Sequence, residues 1–150
     1  MEGVYKMGRD NARTPMHWDD KQYAGFTEGT PWLKVNPNYK KINVKAALEN
    51  KNSIFYTYQK LIELRKTSIY SDTIIYGDYK LLLENDEYVF MYKRFDNDYE
   101  LLVIGNFTDK EVKININDNI QKLILTNYPD TSLNLKLLRP YESCVFQVNK

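Results

Sequence analysis

The chain has one cysteine, Cys144, and one histidine, His17, in 150 residues. A lone cysteine excludes an intramolecular disulfide and any zinc site built on cysteine pairs. Cys144 lies in the alternating run Tyr141-Glu142-Ser143-Cys144-Val145-Phe146, which predicts a buried, inert thiol. With a single histidine and no Gly-x-Ser-x-Gly elbow, a nucleophilic triad has little to be built from. The six glycines are scattered, and none falls in a dinucleotide or P-loop spacing. Neither a cofactor nor a metal is expected. Charge of one sign is also missing: 21 basic against 20 acidic side chains leave a net charge of +1, so nucleic acid and anionic membrane are not expected as partners. No apolar run approaches the roughly 18 residues of a membrane span, and the first residues lack the apolar core of a secretory signal. The expectation is a soluble, cytoplasmic protein.

What is present is an ordinary globular composition, 43% hydrophobic and 27% charged, which can bury a core. The first forty residues carry Pro15, Pro31 and Pro37 together with Trp18, Tyr23, Phe26, Trp32 and Tyr39. They read as a long loop packed by its own aromatics, and long loops in compact domains are more often functional than idle. Asn43 is placed to cap a short helix through Val44, Ala46, Ala47 and Leu48. Asn52 or Ser53 then starts a stronger one: Ile54, Phe55, Tyr58, Leu61 and Ile62 recur at helical spacing, predicting a helix over 53–66.

From about residue 72 the hydrophobic period changes from 3.6 to 2. About eight short strands are expected, at 73–76, 79–83, 88–92, 101–104, 112–116, 122–125, 133–137 and 143–146. Asn85-Asp86 and Asp96-Asn97-Asp98 have the chemistry of hairpin loops. The predicted fold is mainly β, with an antiparallel β-sandwich at the C-terminal end behind a long loop and a helix.

Functional chemistry is densest in Arg9-Asp10-Asn11-Ala12-Arg13-Thr14-Pro15-Met16-His17-Trp18-Asp19. Planar guanidinium groups beside carboxylates, an amide and an indole suit recognition of a polyhydroxylated ligand. The competing reading is that Arg9 with Asp10, or Arg13 with Asp19, pairs only to hold the loop. Asp19-Asp20 is a poor catalytic pair. Glycosidase carboxylates stand about 5–5.5 Å apart in retaining enzymes and about 6.5–9.5 Å apart in inverting ones, whereas neighbours in a loop point apart. Turn or cap roles are expected for both. Asp96-Asn97-Asp98 lacks the later glycine and glutamate of a calcium loop, and Asn106-Phe107-Thr108 matches a glycosylation sequon that has no role without secretion.

The string Gly8 to Asp19 resembles oligo-1,6-glucosidases of the α-amylase superfamily. So, in order, do Ala24-Gly25-Phe26-Thr27, Pro31-Trp32, Val35-Asn36-Pro37-Asn38-Tyr39, Asn43-Val44, Ser53-Ile54-Phe55, Lys60-Leu61-Ile62-Glu63-Leu64-Arg65-Lys66, Tyr76-Gly77, Val103-Ile104-Gly105-Asn106-Phe107-Thr108 and Leu138-Arg139-Pro140-Tyr141-Glu142. Trehalose-6-phosphate hydrolases and sucrose isomerases share much of the pattern. The resemblance implies a retaining α-glucosidase acting on short α-1,6-linked glucosides, of which this chain is the non-catalytic C-terminal part. Residues 1–70 would end the catalytic (β/α)₈ barrel with its last loop and helix, and residues 71–150 would be the β-sandwich domain. The family's Asp nucleophile, Glu acid/base and second Asp have no counterpart here, so the chain alone is expected to be inactive. Substrate binding falls to Arg9, and to Arg13 in the same motif, with the missing barrel portion as partner. His17 stands where the family usually has Gln, and an imidazole replaces one amide bond but not both. A stand-alone carbohydrate-binding or interaction module is the alternative, which an exposed row of coplanar aromatics on one sheet face would favour.

Overall fold

The computed structural model describes residues 8–149, apart from the side chains of Arg9 and Asn11. Two compact units divide the chain, Met1–Thr57 and Tyr58–Lys150.

In the first unit, 3₁₀ turns at Gly8–Ala12, Gln22–Gly25 and Pro37–Lys40 precede helix α1, Val44–Glu49. The Asn43 side chain accepts from the Ala46 N–H at 2.8 Å, capping α1 as its sequence predicts. Helix α2, Ile54–Lys66, follows and contains the division between the units. The Ser53 hydroxyl donates to the Ala47 carbonyl at 2.7 Å and so occupies an orphan acceptor near the end of α1. The helical periodicity over 53–66 therefore yields a helix, although none of its residues is buried. One expectation fails in the loop: Trp18, Phe26 and Trp32 are 51%, 49% and 87% exposed, so its aromatics do not form a core of their own. Of the group, Tyr39 meets the His17 ring edge-on at 6.1 Å.

In the second unit a short helix, α3 (Ser71–Tyr76), leads into strands β1 (Asp78–Leu82), β2 (Val89–Phe95), β3 (Glu100–Asn106), β4 (Val112–Lys113), β5 (Ile120–Thr126), β6 (Leu137–Leu138) and β7 (Ser143–Val148). One antiparallel sheet runs β1-β2-β3-β7-β5, and β4 pairs with β6 in a second. The register carries the core. Met91 lies opposite Ile104, Leu102 opposite Phe146, and Ile104 opposite Cys144. Because side chains alternate across a strand, this puts Val89, Met91, Leu102, Ile104, Cys144, Phe146 and Val148 on one face, where they pack with Leu138 of β6. The predicted sandwich is present.

Three predicted strands differ. Residues 73–76 are helical, because four residues cannot distinguish a period of 2 from one of 3.6. The Gly77 N–H bonds the Thr73 carbonyl, and the chain then passes so close to β2 that a Cβ on Gly77 would lie 2.5 Å from the Thr73 oxygen and 2.7 Å from the Phe95 oxygen. Glycine is required there by space. Residues 112–116 and 133–137 pair only at Val112–Lys113 with Leu137–Leu138, extended by the Ile114 N–H to the Lys136 carbonyl. Asn115 bonds Asn117, and Ser132 accepts from the Asn134 N–H, so local side chains compete with the ladder on both sides. Both predicted hairpin tips form: Asp86 accepts from the Tyr88 and Val89 N–H groups, and Asp96 from those of Asp98 and Tyr99.

Two ionic clusters tie loops to the sandwich. The Lys93 ammonium bridges Glu100, at 2.6 Å, and Asp118. Glu142 is fully buried, and its carboxylate accepts from the Arg139 backbone N–H, from the Arg139 guanidinium at 3.0 and 2.8 Å, and from the Thr131 hydroxyl at 2.7 Å. Burial alone would raise its pKa, but these charged hydrogen bonds outweigh it and hold the carboxyl down at about 2. Burial pushes the Cys144 thiol up to about 11, in keeping with an inert thiol.

Candidate functional site

The sequence places its candidate site in the loop from Gly8 to Asp19. The turn Gly8–Ala12 begins it, with the Arg9 side chain outside the described residues. Arg13 pairs with Asp10, Nη2 to Oδ1 at 2.5 Å, and not with Asp19; both side chains of the pair are half exposed. Asp10 of this pair lines a cavity of about 350 Å³ together with Thr14, Leu33, Lys34, Val35, Asn36 and Pro37. That lining mixes carboxylate, hydroxyl, ammonium and amide groups with short apolar walls, which is chemistry for sugar hydroxyls.

Asp19 is committed to the loop itself. Its Oδ1 accepts from the Lys21 N–H at 2.9 Å, and the N–H groups of Trp18 and Asp19 both bond the Ala24 carbonyl, at 2.8 and 3.1 Å. Closing this turn puts Tyr23, Ala24 and Gly25 in succession at φ of 54°, 60° and 64°. Consecutive left-handed residues are costly, about 1–2 kcal/mol each outside glycine. At Gly25 a Cβ would also lie 2.6 Å from Asp19 Oδ1. Asp20 faces Lys45 at 3.9 Å with half its surface exposed. The turn role expected for Asp19 is thus what the structure shows.

A second cavity in this unit, about 440 Å³, was not foreseen from the sequence. It is lined by Thr14, Pro15, Met16, His17, Ile42, Asn43, Val44, Ala47 and Phe55. The apolar residues after Asn43 carry the periodicity of a helix and give no sign of a cavity. His17 Nδ1 lies 3.1 Å from the Ile42 carbonyl oxygen, while its Nε2 is buried without a partner among the described residues.

In the second unit, Asn106 is only 3% exposed, and its amide donates to the carbonyls of Lys110 and Arg139. The sequon asparagine is a structural clamp. Tyr79, Tyr92, Phe90 and Phe107 form a chain of ring contacts, with centroids 5.3, 5.4 and 6.4 Å apart but planes inclined by 34°, 49° and 80°. The rings are tilted against one another rather than coplanar. Among the described residues no group of three side chains could hold a metal ion, and no helix is long and apolar enough to cross a membrane.

The family model for the alpha-amylase catalytic domain matches residues 1–77, and that for the alpha-amylase SusG C-terminal domain matches residues 89–145. The oligo-1,6-glucosidase of Parageobacillus thermoglucosidasius is 50% identical over 99% of this chain, which spans 27% of that enzyme. Among solved structures, the trehalose-6-phosphate hydrolase of Bacillus licheniformis aligns over 95% of this chain and 26% of its own, with 43% identity and a TM-score of 0.83. Isomaltulose synthase from Klebsiella sp. LX3 aligns over 94% of this chain and 26% of its own, with 32% identity and a TM-score of 0.84.

Proposed function

This chain belongs to the alpha-amylase family, and from that premise we propose that it serves as the C-terminal part of a retaining α-glucosidase acting on short α-1,6-linked glucosides. The observation that carries the reading is 50% identity to an oligo-1,6-glucosidase over 99% of the chain. Residues 1–70 would complete the barrel and residues 71–150 would form the appended sandwich, in the cytoplasm. In a retaining glycosidase one carboxylate attacks the anomeric carbon while a carboxylic acid protonates the departing oxygen, and water then releases the sugar. The barrel portion would supply both groups. This chain would supply binding: Arg9 to a sugar hydroxyl or a pocket carboxylate, and Arg13, already paired with Asp10, as a second guanidinium at the rim. A charged hydrogen bond of this kind contributes about 1.5–3 kcal/mol, roughly ten- to a hundred-fold in rate.

The test is a chimera in which this chain replaces the matching C-terminal quarter of the Parageobacillus enzyme. The chimera should hydrolyse isomaltose, and the chain alone should not. In the chimera, Arg9→Ala should lower kcat/KM by roughly ten- to a hundred-fold with little change in melting temperature, and Arg9→Lys should restore little because the ammonium lacks the planar fork. A folded chimera without turnover would overturn the reading. Similarity to a trehalose-6-phosphate hydrolase favours a second reading, which preference for trehalose 6-phosphate over isomaltose would select. The tilted aromatic contacts count against a flat sugar-binding platform on the sandwich.

A further inference from the structure

We propose that the cavity formed at the strained turn of the first unit binds the leaving-group glucose of an α-glucoside, and that Tyr23 and Glu28 are the residues that select it. The inference rests on the α-glucosidase reading above and adds to it a site for the second sugar. The cavity holds about 450 Å³, and Lys21, Gln22, Tyr23, Phe26, Thr27 and Glu28 contribute to its lining. An ammonium, an amide, a phenol, a hydroxyl and a carboxylate thus come from the single run Lys21 to Glu28 and share the cavity with the half-exposed ring of Phe26. A pyranose hydroxyl both donates and accepts, and the C–H faces of the sugar are apolar. Donors, acceptors and one aromatic face together suit it. Lys21 and Glu28 balance in charge, so a neutral glucose fits the lining better than a phosphorylated one.

Backbone strain fixes this arrangement. Tyr23 and Ala24 stand at φ of 54° and 60°, and the Ala24 carbonyl holds them there by accepting from the Trp18 and Asp19 N–H groups, while the Ala24 N–H returns to the Lys21 carbonyl at 3.0 Å. Strain of this kind, over-determined by its surroundings, concentrates at ligand clamps. The turn sets the Tyr23 hydroxyl 3.4 Å from the Thr30 hydroxyl. Hydrogen bonds from Thr30 and from Gln22 hold the phenol below its ordinary pKa; bonds with that effect are donated to the phenol oxygen, which leaves its own proton for a sugar hydroxyl. The Thr27 hydroxyl oxygen accepts from the Gly29 N–H at 3.2 Å, so its proton is likewise available. Glu28 is the complementary acceptor. A glucose undergoing cleavage needs one carboxylate to attack and a second carboxyl group to protonate the departing oxygen. The lining has one carboxylate, Glu28, and so suits the departing sugar, which requires binding alone.

The chimera described above provides the test, with two substrates that share the glucosyl half and differ in what departs. Isomaltose releases a glucose, whereas p-nitrophenyl α-glucoside releases an aryl group without sugar hydroxyls. Tyr23→Phe removes the phenol proton, and Glu28→Gln replaces the carboxylate by an amide of the same shape. On isomaltose, kcat/KM should fall several-fold in Tyr23→Phe and roughly tenfold in Glu28→Gln, as expected for the loss of a neutral and of a charged hydrogen bond. The loss on the aryl glucoside should be several times smaller in both variants. Equal losses on the two substrates would overturn the proposal, because the side chains would then act through the fold or through the glucosyl half. No loss on either substrate would overturn it as well, and so would a chimera that prefers trehalose 6-phosphate to isomaltose. The two ideas fail differently: a folded chimera that cleaves neither substrate removes the α-glucosidase reading, whereas one that cleaves both, with equal or absent losses in the variants, removes only the leaving-group site.

Discussion

The two units spend similar apolar residues in opposite ways. In the sandwich, Leu102, Ile104, Leu138 and Phe146 are fully buried, whereas in the first unit Met16, Trp18, Trp32 and Ile42 are half exposed or more. A strand pattern of period 2 is answered by other strands of the same chain, so its apolar face closes on itself. The apolar face around α1 and the start of α2 has no such answer among the described residues. An amphipathic pattern specifies that a face must be covered, and only the fold decides whether the chain itself covers it.

This contrast can be broken most severely at Phe146. Phe146→Ala should destabilise the sandwich by about 3–5 kcal/mol, since it removes a fully buried ring from a packed core. Phe55→Ala, at a ring 48% exposed, should change the stability of the first unit by under ~1 kcal/mol. Urea titrations can separate the units. Both tryptophans, Trp18 and Trp32, belong to the first, so indole fluorescence follows it while far-ultraviolet circular dichroism follows the strands. Equal losses for the two variants would remove the contrast.

Next in size is an acid effect confined to the second unit. Glu142 ionises at about 2 in the folded chain against an ordinary value of 4.5, so the folded state binds fewer protons than the unfolded state between those values. Its contribution, about 3 kcal/mol, is complete above the ordinary value and disappears as the pH falls through about 2. Urea midpoints measured from pH 5 down to pH 2 should fall along this slope, and Glu142→Gln should flatten it. A slope unchanged in that variant would assign the acid sensitivity to other carboxylates.

A smaller effect is expected in the strained turn of the first unit. Gly25→Ala should destabilise it by about 1–3 kcal/mol, because alanine would be held at φ of 64° with its Cβ against Asp19. Ala24→Gly, at φ of 60°, should instead be neutral or stabilising. Indole fluorescence in urea would register both, and the opposite order would show that packing of Ala24, not backbone strain, controls the turn.

Much of this was legible in the sequence. The helix at 53–66, the Asn43 cap, the hairpins at Asp86 and Asp96 and the sandwich follow from periodicity and turn chemistry, which are local. Residues 73–76 form a helix where a strand is expected because a single turn carries no period, and 133–137 pair only at their end because the Asn134 N–H bonds the Ser132 hydroxyl where the alternation of leucines implies a ladder. The candidate site was visible only as a density of Arg, Asp, Asn and Trp. Its pairing was not, since whether Arg13 meets Asp10 or Asp19 depends on how the turn folds Asp19 back onto Lys21. The cavity beside His17 joins residues 14–17 to 42–55, and no local signal marks such an approach.

The smallest expected effect concerns two arginine–carboxylate pairs of matching sequence separation. Arg13 with Asp10 and Arg139 with Glu142 are both three residues apart, but the first pair is 50% and 52% exposed and the second 28% and 0%. An exposed pair gains little over water and is screened by salt, so Arg13→Ala should cost the first unit under ~1 kcal/mol, and less still at high ionic strength. If Arg13 served only to hold the loop, activity in the chimera would follow that small loss. If instead its guanidinium is shared between Asp10 and a sugar hydroxyl, kcat/KM should fall several-fold while the urea midpoint barely moves. Measuring both on one variant decides the matter: a kinetic loss no greater than the loss of folded protein would reduce Arg13 to a surface ion pair and leave Arg9 as the binding arginine of the loop.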